Sequence, residues 1–176
     1  MDFPLIDPAS AQGQTKELLD TTQRQLGRVP NLYRAMANAP AALDGYLAMR
    51  NALVKGQLNV QDRERLALLV AQENGCAYCV SAHTLRGSKI GLTEEDLVRT
   101  RAGESDDPRT AALLKFTQEV VRRRGSVSED TRDEAEAAGL TAVELGEAVA
   151  HVALNVLSNY FNHVAEPELD FPLVEA

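Results

Sequence analysis

Glu73-Asn74-Gly75-Cys76-Ala77-Tyr78-Cys79-Val80-Ser81-Ala82-His83 is the stretch on which the reading of this chain turns. Gly75 can end one helix in the left-handed conformation, at no steric cost, and let a second helix begin at the cysteines. On that second helix Cys76, Cys79 and His83 stand at offsets of three and four and share one face. Cys79 falls in the first turn, where free backbone N–H groups and the helix dipole favour an anion. His83, one turn later, can accept or relay a thiol proton, and the thiolate is the reactive form of cysteine. Thiol redox chemistry is the leading reading. Two others stand beside it. One is an inert buried pair. The other is a zinc-stabilised binding module with Cys76, Cys79, His83 and Glu64 as ligands, although structural zinc sites usually draw on two separated ligand pairs.

Upstream, Glu64 shares a helical stripe with Leu68 and Ala71, at four and seven residues on. A carboxylate on an apolar stripe is at least partly buried and calls for a partner, which an ion pair with a basic side chain would supply. Glu73 lies half a rotation away, so the two glutamates cannot serve one site.

Helical periodicity continues through almost every other segment, and no run of strands is visible. The spacing predicts helices over 14–26, 31–38, 40–54, 60–74, 77–89, 94–101, 109–124, 129–138 and 142–161, an all-α fold in a single domain over 1–176. One corner pattern occurs twice, as Gly91-Leu92-Thr93-Glu94-Glu95-Asp96-Leu97 and Gly139-Leu140-Thr141-Ala142-Val143-Glu144-Leu145. Glycine ends one helix, threonine caps the next, an acid follows at the third position and two leucines flank the cap. In the last helix His151, Asn155, Asn159 and Asn162 form a polar face. Helix-to-helix hydrogen bonding is the plain explanation for it, and lining a pocket opposite the cysteines is the alternative. His163 reads as a capping or surface histidine.

The chain has 176 residues, 44% of them hydrophobic and 25% charged, and a net charge of −8. A domain of this length buries roughly 70% of its unfolded surface, so it needs no disulfide staple. Its one basic cluster, Arg122-Arg123-Arg124, falls at a helix end, which argues against a nucleic-acid partner. Met1-Asp2-Phe3-Pro4 does not open a secretory signal and no apolar run approaches a bilayer span, so a cytoplasmic location without membrane association is expected. In a reducing compartment a close cysteine pair reads as catalytic or metal-binding before structural. The ends echo each other, as Asp2-Phe3-Pro4-Leu5 and Asp170-Phe171-Pro172-Leu173. Both should be extended tails that lie across a neighbouring surface such as another subunit, unless the echo is chance.

C-x-x-C-x-x-x-H with a glutamate twelve residues before the first cysteine resembles the alkylhydroperoxidase D-like family of the carboxymuconolactone decarboxylase superfamily. Val29-Pro30-Asn31-Leu32-Tyr33-Arg34-Ala35 and Asn159-Tyr160-Phe161-Asn162-His163 are similar to its peroxidase-related branch. The resemblance runs from about Gly27 to Asp170. It implies a thiol-dependent hydroperoxide reductase with the alkylhydroperoxidase D-like helical bundle. Cys79 would attack peroxide, Cys76 would close the disulfide, and His83 and Glu64 would relay protons. It implies no cofactor and no metal. The partners it implies are a hydroperoxide substrate and a dithiol reductant such as a lipoamide-bearing protein. With the two apolar tails, it also predicts a homo-oligomer. Tyr78 stands where the best-known members have a second histidine, although tyrosine is usual in the peroxidase-related branch. A phenol does not shuttle protons near neutral pH, so the relay is expected to run through His83 alone or turnover to be slow. The rival activities are a non-peroxidatic electron carrier to a separate peroxidase and a lactone decarboxylase, the latter needing no cysteine pair.

Overall fold

The computed structural model describes residues 2–176, so Met1, part of the N-terminal reading, lies outside it. Among the described residues there are nine helices and no strand: α1 (Gly13–Leu26), α2 (Asn31–Met36), α3 (Pro40–Leu53), α4 (Val60–Glu73), α5 (Ala77–Lys89), α6 (Glu94–Ala102), α7 (Pro108–Arg122), α8 (Glu129–Ala137) and α9 (Ala142–Ala165). All nine expected helices are present, with ends that move by up to four residues. The largest difference is at α9, which runs on until Glu166 turns left-handed (φ 43°) ahead of Pro167, a residue that disfavours helix before it.

Local chemistry accounts for the helix starts. Thr93 and Thr141 each accept the N–H of the acid three residues on, and Asp96 and Glu144 reach back to the threonine backbone, two full capping boxes. Gly91 and Gly139 take φ of 92° and 81°, as the repeated corner requires. Asp107 caps α7 and Pro108 occupies its first turn, where a missing N–H costs nothing.

α4 is the central element and packs against α5, α6, α7 and α9. Leu66, Leu68, Leu69 and Val70 are consecutive enough to be apolar on every side, and all are fully buried. On one side α4 shares a core with Leu113, Leu114 and Phe116 of α7 and Ala148 of α9. On the other side Leu68 and Ala71 join Cys76, Cys79, Val80, Leu92 and Leu97, so the cysteines sit inside a packed layer. A third core, built from α1 to α3, closes on Leu154 of α9.

Both tails lie outside helix and strand, and both pack on their own chain. Phe3 meets Phe161 edge-on at 5.3 Å between centroids, and Phe171 meets Tyr78 at 5.4 Å. The C-terminal tail is pinned further by Ser81, whose hydroxyl accepts the Val174 N–H at 2.8 Å. No helix is long and apolar enough to cross a membrane among the described residues.

Candidate functional site

The site begins at the corner between α4 and α5. Gly75 takes φ +65°, the Cys76 N–H donates to the Ala71 carbonyl and the Gly75 N–H to that of Gln72, a complete Schellman closure of α4. The chain is thereby turned so that Cys76 becomes the N-cap of α5, non-helical at φ −91° and ψ 89°. Cys76 and Cys79 are joined as a disulfide, with 5.3 Å between their Cα atoms. They are 2% and 4% exposed.

The helix terminus favours a different sulfur from the one expected. The side chain of an N-cap residue is the one that reaches back to the third N–H, and the Cys79 N–H donates to Cys76 Sγ at 3.3 Å. Cys79 Sγ is served instead from α9, where Asn162 Nδ2 donates to it at 3.1 Å and lies 3.9 Å from Cys76 Sγ. The Asn162 Oδ1 atom is buried without a hydrogen-bond partner.

Because α4 and α5 run back against each other from the Gly75 corner, Glu64 near the start of α4 meets His83 in the middle of α5. Glu64 Oε1 lies 2.6 Å from His83 Nδ1, and Oε2 lies 3.1 Å from Arg86 Nη2. Burial pushes the Glu64 carboxyl up, but the charges of His83, Arg86 and Arg50 and the His83 hydrogen bond outweigh it and hold the group below its ordinary value. The ion pair expected of a buried glutamate and a contact with His83 thus occur on one carboxylate. Glu73 faces elsewhere, bound to Gln118 at 2.7 Å and to Arg122. Arg122 to Arg124 do lie at the C-terminal end of α7, Arg122 paired with Glu73 and Arg123 with Glu119.

A cavity of about 310 Å³ opens beside the cysteines, lined by Cys79, His83, Asn162, Tyr78, Leu85 and Phe171 among others. Cys76 instead lines a shallower groove with Leu169 and Leu173 of the tail. Tyr78 is a fixed post between them. Its hydroxyl donates to Asp170 Oδ1 at 2.6 Å and accepts the Leu32 N–H at 3.1 Å. Burial and the Asp170 contact push its pKa up, so it stays a neutral phenol. Asp170 also receives Arg28, which stacks on Phe171 at 4.6 Å, so the tail walls the cavity.

The polar face of α9 divides. Asn159 makes the helix-to-helix bond expected of it, accepting from Asn74 at 2.9 Å, and His163 caps the end of α4 through the Asn74 carbonyl at 3.0 Å. Asn162 also bonds from helix to helix, to Cys79 Sγ, and lines the cavity beside the cysteines as well, whereas His151 and Asn155 line a second cavity, which corrects the plain reading for those two. Asn162 was not singled out as a sulfur contact, and no local signal marks it as one. Arg86 was also missed, although its spacing of three from His83 and seven from Cys79 put it on their face.

Residues 40–120 match the carboxymuconolactone decarboxylase family. An alkyl hydroperoxide reductase of Mycobacterium tuberculosis is 29% identical over 90 residues, 51% of this chain and 26% of that protein. YdfG of Bacillus subtilis is 28% identical over 86 residues, 47% of this chain and 58% of that one. The chain therefore aligns with less than two thirds of the length of either curated relative, about a quarter of one and 58% of the other. Among solved structures, a peroxidase-related protein of Ralstonia eutropha with the alkylhydroperoxidase AhpD core superposes with a TM-score of 0.82 at 23% identity, covering 96% of this chain and 91% of that one. A peroxidase-related protein from Silicibacter gives 0.81 at 24% identity, covering 96% and 90%. The debrominase Bmp8, in complex with 2,3,4-tribromopyrrole, gives 0.81 at 14% identity, covering 96% and 91%. At these identities the likeness is one of fold.

Proposed function

We propose, on the premise that this chain belongs to the carboxymuconolactone decarboxylase superfamily in its alkylhydroperoxidase D-like form, that it is a thiol-dependent hydroperoxide reductase. One observation carries the reading: Cys79 lines a cavity together with His83, and His83 is held by the buried Glu64.

In the proposed cycle the Cys79 thiolate, held by the Asn162 amide, attacks one oxygen of the hydroperoxide. An S–O bond forms and the O–O bond breaks. The departing oxygen takes a proton from His83 and leaves as alcohol or water, and Cys79 is left as a sulfenic acid. Cys76 then attacks that sulfur, the S–S bond forms and water departs. A dithiol, of which a lipoamide-bearing protein is the proposed example, restores both thiols by exchange, entering from the Cys76 groove. Dependence on a dithiol fits a reducing compartment, and a cytoplasmic location is proposed on that ground.

Thiol trapping tests the assignment. After one equivalent of hydroperoxide, Cys76→Ser should carry a dimedone adduct on Cys79, and Cys79→Ser should carry none. The N-cap hydrogen bond to Cys76 Sγ makes the reversed pattern a meaningful outcome, and it would overturn the roles. Failure of either cysteine to react with any hydroperoxide, while the disulfide still exchanges with dithiols, would make the protein an electron carrier.

We also propose a homo-oligomer. Both tails are occupied within the chain, so the proposal rests on α9, where Val149, Leu157, Tyr160 and Val164 are 43–67% exposed along one helix. A monodisperse species of 19.1 kDa in light scattering would refute it.

A further inference from the structure

Behind the Glu64–His83 pair lies a second cavity of about 220 Å³, divided from the first by Tyr46, His83 and Arg86, which line both. Its lining is mixed in chemistry. Val54, Val60, Ala67 and Leu154 are its apolar lining, and Arg50, Arg63 and Arg86 are three basic residues among the rest. The acids do not match them. Glu64 is the one carboxylate lining this cavity among the described residues, and its two oxygens already serve His83 and Arg86. Arg50 donates to the Gln25 side chain at 3.0 Å and Arg63 to the Leu58 carbonyl, and neither pairs with a carboxylate among the described residues. In a chain with 26 acidic and 18 basic side chains, a cavity with surplus cations runs against the average and concentrates anions.

An independent observation points the same way. His151 lines this cavity, is 5% exposed, and its Nε2 atom is buried without a hydrogen-bond partner. Buried polar atoms are nearly always paired, so this nitrogen calls for a partner that the chain itself does not supply. Burial and the neighbouring Arg63 push His151 down to about 4, which leaves the ring neutral at pH 7 and able to donate an Nε2–H.

We propose that this cavity binds a small organic monoanion, a carboxylate on a compact apolar body, with Arg50, Arg63 and His151 Nε2 as its donors. The volume lies below the roughly 300 Å³ at which drug-sized pockets begin, which limits the body to a short chain or a single ring. A bare inorganic anion would answer the arginines and leave the apolar lining uncovered. The cavity shares Glu64 and His83 with the proposed peroxide site but does not include the cysteines, and ligand binding is read without peroxide turnover, so its test does not depend on that reading.

The test titrates hexanoate, benzoate, hexanamide and phosphate separately into the oxidised full-length protein. Binding is followed by calorimetry and by imidazole NMR, which resolves the chain's three histidines. A carboxylate should bind saturably and shift His151 while His163 stays still. Hexanamide and phosphate should bind at least about tenfold more weakly, and Arg50→Gln and Arg63→Gln should each cost hexanoate about tenfold in affinity. Absence of saturable binding overturns the proposal. So do equal binding of hexanamide or phosphate, unchanged affinity in both arginine variants, and a response at His83 without one at His151. Should an arginine variant fail to fold, the histidine shifts of the unaltered protein decide the matter alone.

Discussion

Replacing Glu64 by Gln keeps the size of the side chain and removes its charge, which isolates what the carboxylate does for His83. Glu64 is 5% exposed, with His83 Nδ1 at 2.6 Å. A hydrogen bond of this charged kind contributes about 1.5–3 kcal/mol. If it holds the imidazole in place for Cys79, most of that is lost from the transition state. Glu64→Gln should then slow peroxide-driven disulfide formation about 10- to 100-fold. The Arg86 side chain is 48% exposed, so its contact with Glu64 is solvent-screened and adds about 1 kcal/mol or less. Arg86→Gln should therefore keep the rate within about threefold. The chain has no tryptophan to report by fluorescence, so the reaction is followed by quenched-flow alkylation and mass spectrometry. Glu64→Gln combined with His83→Asn should be little slower than His83→Asn alone, because the two act as one unit. Fully additive losses, or an Arg86→Gln rate as low as that of Glu64→Gln, would refute the positioning role. The acid limb supplies a second readout. His83 and Arg86 hold Glu64 below its ordinary 4.5 against the opposing pull of burial. Its contribution to stability is therefore present above pH 4.5 and fades as pH falls through the lower folded value, and the Gln variant lacks that loss.

Asn162→Leu removes the amide that donates to Cys79 Sγ at 3.1 Å and so favours its thiolate, and the pH midpoint of thiol alkylation should move up. The pH dependence of iodoacetamide alkylation measures it, and an unmoved midpoint counts against any role for Asn162 at sulfur. Tyr78→Phe leaves the Leu32 N–H unpaired and takes one donor from Asp170, which should cost about 1–3 kcal/mol and speed amide exchange in residues 169–176. Exchange no faster than in the parent protein would show that Arg28 and Ser81 hold the tail without Tyr78. His151, pushed down to about 4 from 6.5, binds its proton more readily in the unfolded chain, so stability should fall as pH drops from 6.5 towards 4. The loss is on the order of 2 kcal/mol after allowing for partial solvation, and His151→Asn should flatten that limb of urea titrations at pH 7 and pH 4.5.

What the sequence determined by itself is whatever short-range physics decides. The helices, the Gly75 corner, the two threonine capping boxes and the common face of Cys76, Cys79 and His83 depend on residues three to five apart, where backbone geometry leaves few choices. Burial of Glu64 was legible for the same reason, as a carboxylate on an apolar stripe. The choice of its partners was not, because His83 and Arg86 reach it only once α4 and α5 fold back on each other. The start of α5 shows how narrow the margin is. Reading Cys76 inside the helix places the free N–H groups at Cys79, whereas Cys76 as the N-cap captures the Cys79 N–H for its own sulfur.

Tertiary structure decided the rest of the site. Asn162 meets Cys79 across 83 residues of sequence, and Asp170 meets Tyr78 across 92. A polar residue on a helix face announces that it needs a partner, but not which one. The partner is set by where packing of the apolar faces brings two distant helices, and that packing is a property of the whole core. The two cavities flanking the Glu64–His83 pair have the same origin. The first is a space left between α1, α2, α3, α5, α9 and the C-terminal tail, the second between α3, α4, α5 and α9, and no single element encodes either.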